Sequence, residues 1–131
     1  MNRFLLAPTV GLALLSVAGC DGACLDSEPD LGCAPLYEPT FDNLYTNTIA
    51  QKCAVNGASC HAAAGNAGGL TLEGPDVAHA ALAGDADEPR CAPAVVRTHS
   101  SEEGTQMPPG APLSEAELCA IRQWVAAGAP R

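Results

Sequence analysis

The chain has 131 residues and a formal net charge of −9, with six Lys and Arg against fifteen Asp and Glu. So acidic a surface repels nucleic acid and anionic headgroups instead of concentrating them, which argues against either as a partner. Hydrophobic residues make up 47% but aromatic ones only 4%, and much of the apolar content is Ala, so the length supports one small domain with a thin core that needs staples or a bound group.

The first nineteen residues read as an export signal: Arg3 supplies the positive region, Phe4 to Val17 the apolar stretch, and small residues follow. Val17-Ala18-Gly19-Cys20 resembles the bacterial lipobox, in which the cysteine is diacylated and becomes the new N-terminus. Cys20 is therefore the expected lipidation site. The mature chain is expected outside the cytoplasm, anchored to the cell envelope by its acyl chains, since no later stretch reaches the ~18 apolar residues of a membrane span. Losing the leader leaves five basic residues against fifteen acidic ones, a balance of −10.

Residues 20–40 carry Asp21, Asp26, Glu28, Asp30 and Glu38 among Gly and Pro, which predicts a flexible acidic tether ahead of a domain spanning 41–131. Phe41, Leu44, Tyr45 and Ile49 then recur at helical spacing, with Thr40 or Asp42 able to cap, and predict a helix over about 41–52.

Cys53 opens the segment Cys53-Ala54-Val55-Asn56-Gly57-Ala58-Ser59-Cys60-His61. A Cys-His pair with a second Cys upstream is how c-type haem is tethered, the His binding the iron, although two residues usually separate the cysteines and here there are six.

Gly68-Gly69 permits a turn into a short extended piece, Leu70-Thr71-Leu72. Pro75 and Asp76 suit the first turn of a second helix over about 76–83, stopped by Gly84. Val95, Val96 and Thr98 fit a short helix or a strand equally well. Ser114-Glu115-Ala116-Glu117 is a capping box opening a last helix with Leu118, Ile121, Trp124 and Val125 on its apolar stripe, ended by Gly128 with Pro130 beyond.

With Cys20 assigned to lipid, six cysteines remain in an oxidising compartment and allow fifteen pairings. Local spacing favours Cys24 with Cys33, and Cys53 with Cys60 and Cys91 with Cys119 would complete the set.

The order of helix, Cys-x(n)-Cys-His, Gly-Gly-Leu-Thr-Leu, Met107-Pro108-Pro109-Gly110 and a final Trp124-Val125-Ala126-Ala127-Gly128-Ala129-Pro130 resembles the cytochrome c-like domain of the planctomycete and myxobacterial type, over roughly residues 41–130. The resemblance implies an all-α fold, small and with long loops, its first and last helices packed near each other and haem c between them. It implies Cys53 and Cys60 as thioether tethers, His61 as the proximal iron ligand and Met107 as the distal one. Such a protein is a one-electron carrier and not an enzyme, because imidazole and thioether leave the iron no open site, and its partner would be another redox protein. The six-residue spacing departs from the family's pattern and leaves a second reading: a Cys53–Cys60 disulfide in a haemless domain acting as a structural or binding module of the envelope.

Other residues have plainer expectations. His79 reads as a surface imidazole on the second helix, His99 as a loop residue and alternative distal ligand, and Trp124 as core. A zinc site from Cys53, Cys60, His61 and Cys91 or His99 has acceptable ligand types but conflicts with oxidising export.

Overall fold

Thr40 begins the folded helices by accepting the Asn43 amide on its hydroxyl at 3.4 Å, which caps α1 (Phe41–Leu44). The computed structural model describes residues 24–57, 60–84 and 87–131; the leader and Cys20 lie outside these residues. α1 runs straight into a π-helical segment, Tyr45–Cys53, closed by the Ala54 amide donating to the Ile49 carbonyl at 2.8 Å. The predicted helix over 41–52 is thus present, but most of it is wound one residue wider than an α-helix. The five-residue hydrogen-bond step sets Leu44 above Ile49 and Thr48 above Cys53, so four side chains face the same side.

A 3₁₀ turn at Ala67–Gly69, with Gly68 and Gly69 both at positive φ, delivers Leu70 into extended backbone. α2 (Pro75–Leu82) starts on its proline, as the sequence implies. α3 (Pro93–His99) resolves the open alternative at Val95 and Val96 in favour of a helix, with Pro93 again in the first turn. α4 (Glu115–Ala126) carries the predicted capping box in full: Ser114 accepts the Glu117 amide and Glu117 reaches back to the Ser114 amide. It ends in a Schellman motif, the Gly128 amide on the Val125 carbonyl and the Ala129 amide on the Trp124 carbonyl, with Gly128 at φ 91. No strand occurs among the described residues, which agrees with the all-α expectation. None of their helices is long and apolar enough to cross a membrane.

The core forms where α1, α3 and α4 meet. Phe41, Leu44, Val95, Trp124 and Val125 are all fully enclosed. The Phe41 and Trp124 rings lie 5.5 Å apart, so the first and last helices do pack together. His79 corrects its surface assignment: its ring meets Phe41 edge-on at 4.8 Å and its Nε2 bonds the Ala129 carbonyl at 3.0 Å, which locks α2 to the C-terminal turn. The imidazole is amphipathic, so it supplies a ring edge to the core and a polar atom to a helix end that needs one.

The cysteine pairing differs from the one local spacing favours. Cys24 is joined to Cys91 and Cys33 to Cys119, across 67 and 86 residues, while Cys53 and Cys60 remain thiols. Residues 24–40 are therefore not a free tether but a strap bound across the helices. The Leu25 amide donates to the Arg90 carbonyl, the Leu36 amide to the Ala116 carbonyl, both at 2.9 Å, and the Gln123 side chain to the carbonyls of Leu31 and Cys33. Composition missed this because Pro, Gly and acids describe an irregular backbone without telling a loose one from a stapled one.

Glu117 does more than cap. It is only 3% exposed, and it binds the Lys52 ammonium at 2.7 Å and the Thr48 hydroxyl, which in turn bonds Tyr37 of the strap. Burial acts to raise its pKa, but the Lys52 ammonium and the Ser114 hydrogen bonds outweigh it and hold the carboxyl below its ordinary 4.5. A depressed folded-state value stabilises the fold above the ordinary one and loses that contribution as pH falls through it. Denaturation midpoints should therefore drop as the pH is lowered past 4.5. Glu117→Gln should lower stability at neutral pH and flatten that acid limb; an unchanged limb would remove Glu117 from its cause.

Candidate functional site

Between the helices lies a cavity of about 490 Å³, in the ~300–1,000 Å³ range of sites for cofactor-sized ligands. Leu44, Ile49, Leu72, Leu113 and Ile121 give it apolar walls, and Trp124, a core residue, also lines it. Cys53, His61 and Met107 all face into it. Cys60 joins those three around a smaller recess of about 20 Å³, beside Lys52 and Pro108. The four residues singled out in the sequence are thus gathered at one place.

Backbone pairing fixes the Cys-His segment although its loop is long. The His61 amide donates to the Cys53 carbonyl at 2.9 Å, and the His61 carbonyl accepts the Leu72 amide at 2.7 Å. The Cys60 carbonyl accepts the Ala67 amide at 3.1 Å. His61 Nδ1 lies 3.2 Å from the Leu70 carbonyl, which can only accept, so in the neutral ring this contact selects the tautomer with the proton on Nδ1 and the lone pair on Nε2. The Gly-Gly turn earns its place by putting Leu70 where it can orient the ring.

Gly65 closes this loop. A Cβ there would stand 2.2 Å from the Gly57 carbonyl oxygen and 2.7 Å from that of Cys60. Because backbone and not a flexible side chain occupies the space, Gly65→Ala should cost about 1–3 kcal/mol and displace Cys60 and His61. Thermal melts give the first effect and alkylation of Cys60 the second; an unchanged melting temperature would show that the close approach is not needed.

Met107 is half-buried, and its amide donates to the Arg97 carbonyl at 2.9 Å, so α3 holds the loop that presents the thioether. The Cys53 thiol is pushed up to about 11 by burial first, then by the neighbouring Cys60 and Glu117, with Lys52 opposing. It is protonated at neutral pH and therefore a poor attacker in disulfide formation, which proceeds through thiolate.

Two other sequence candidates are not brought in. His99 packs its Nδ1 on the Val95 carbonyl at 2.8 Å and does not line the cavity; burial pushes its pKa down, and its Nε2 is enclosed without a partner. Cys91 is spent on Cys24, so the zinc set is not assembled, and among the described residues no three His, Cys, Asp or Glu cluster as a metal site.

One residue the sequence did not flag belongs here. Arg97 lines the cavity from an exposed position on α3 and has no carboxylate within ion-pair distance among the described residues, whereas Lys52, Arg122 and Arg131 each have one and Arg90 has two. The spacing of Pro93, Ala94, Arg97 and Thr98 is that of one helix face, but with helix and strand both open at Val95 the sequence assigned no face to read.

Compared with protein-family models, with curated proteins and with solved structures, the chain finds no significant match in any of the three.

Proposed function

We propose that the domain is a c-type cytochrome, a one-electron carrier held to the cell envelope by lipid at Cys20. One observation carries this reading. Of the six cysteines in the described residues, four are paired and the two left as thiols are Cys53 and Cys60, beside His61 and Met107 at an apolar cavity.

The donor set fits haem. Bound there, haem would supply a reversible iron couple, and imidazole with thioether favours its reduced form and a raised potential. His61 offers Nε2 to the metal, because the Leu70 carbonyl already holds the proton on Nδ1. Met107 offers its sulfur from a loop tied to α3. Cys53 and Cys60 would hold the haem as thioethers, each by adding its S–H across a vinyl double bond, sulfur to one carbon and hydrogen to the other, with no oxidant consumed. Arg97, which lines the cavity, would pair with a propionate carboxylate of the haem. The leucine and isoleucine walls exclude water, which keeps the reorganisation accompanying electron transfer small.

His61 and Met107 would together occupy the iron and leave it no site for substrate, so the reading is a carrier and not an enzyme, working with another redox protein. Met107→Ala provides the test. It should abolish sulfur-to-iron charge-transfer absorption and lower the midpoint potential while the thioether content stays the same. Persistence of that absorption would remove Met107 from the iron, and absence of any Soret band in the unaltered protein would favour the haemless binding module.

A further inference from the structure

The strap changes what a lipid at Cys20 does to the domain. From Cys24 onward the chain is part of the folded body: Cys24 is bonded to Cys91, the Leu25 amide to the Arg90 carbonyl, and Cys33 to Cys119. Only residues 21–23 separate the acylated position from that clamp. Four residue steps reach at most about 14 Å even when fully extended. A folded domain of this size has a radius of gyration of about 13 Å and so measures more than about 26 Å across, which makes the leash shorter than the body it holds.

We propose that the protein lies flush on its membrane, with the strap face seated on the bilayer surface. This rests on the acylation of Cys20 and not on the presence of haem. Two of the three large hydrophobic side chains left exposed among the described residues sit on the strap, Leu31 at 47% and Leu36 at 60%. Both reach the interfacial zone once the acyl chains are inserted. The same strap carries Asp26, Glu28 and Asp30, so the attraction is apolar and not electrostatic, and a zwitterionic surface suits it better than an anionic one.

Functionally, Cys91 lies two residues before the start of α3, and α3 supplies Pro93, Ala94, Arg97 and Thr98 to the cavity. The cavity wall thus starts at the anchored corner, which holds the cavity at a fixed height above the membrane. A partner would then be one that meets it in the membrane plane.

Neutron reflectometry of the full lipidated chain on a supported bilayer of neutral phosphatidylcholine tests the seating. Protein density should begin at the headgroups with no hydrated layer between. A flexible twenty-residue Gly/Ser insert between Ala23 and Cys24 combined with Leu31→Ser and Leu36→Ser should open such a layer. A hydrated gap beneath the unaltered protein would overturn the proposal. Failure of the chain to stay on the bilayer at all would instead strike the acylation reading. A non-acylated Cys20→Ser chain should be monomeric; a dimer abolished by Leu31→Ser and Leu36→Ser would assign this face to a second copy and overturn the membrane seating.

Discussion

Replacing Cys33 and Cys119 together with alanine should remove about 4 kcal/mol, because with Cys24–Cys91 intact the bond closes an unfolded loop of 37 residue steps, 9 from Cys24 to Cys33 and 28 from Cys91 to Cys119, and the chain-entropy contribution grows with the logarithm of that loop. Domains of this kind are stable by only about 5–15 kcal/mol, so at the low end the variant would keep about 1 kcal/mol and a sizeable fraction of its molecules would be unfolded. The local pairing of Cys24 with Cys33 would have contributed nearer 2.6 kcal/mol by the same relation. Denaturant unfolding measures the loss, and peptide mapping without reduction checks the connectivity. A loss under 1 kcal/mol, or a peptide joining Cys24 to Cys33, would contradict the strap. The effect should spread to the site, since Cys119 lies on α4 beside Ile121 and Trp124, which wall the cavity.

His61→Ala is expected to be the most damaging single change to the coordination of the iron. The two thioethers at Cys53 and Cys60 would still hold the haem covalently, so the effect falls on the ligand and not on haem content. The Soret band should shift and the midpoint potential change, while the Cys24–Cys91 and Cys33–Cys119 bonds and the helical circular dichroism persist, because His61 lies outside the core. An unshifted Soret band would move the ligand role elsewhere. His99 is the only other imidazole raised as a ligand from sequence, and its position off the cavity makes it a poor replacement.

How much of this was legible beforehand depends on the range of the interaction concerned. Caps and stops are local, so Ser114 with Glu117, Pro75 and Gly128 were readable in full. The π-winding of Tyr45–Cys53 was not: widening each hydrogen-bonded step by one residue barely alters the apolar pattern at Phe41, Leu44 and Ile49. β-branched Val95 and Val96 pull toward strand and Pro93 toward a helix start, and what decides is the burial of Val95 against α4, a tertiary fact. Cys53, His61 and Met107 could be named as one site because residue type and order carry that chemistry. Arg97 could not, since its role depends only on the direction of its helix face. The disulfide pairing failed for the same reason, as the sequence near Cys24 and Cys33 says nothing of where the strap crosses α4.

The central claim, that Cys53 and Cys60 were left as thiols to hold haem beside His61, is tested most directly by a pyridine haemochrome spectrum of the full chain produced in a host with cytochrome maturation machinery. The α-band position counts the vinyl groups converted to thioethers. Two saturated vinyls per haem, lost one at a time in Cys53→Ser and Cys60→Ser, is the predicted result. A colourless protein whose mass gives Cys53 joined to Cys60 would contradict it.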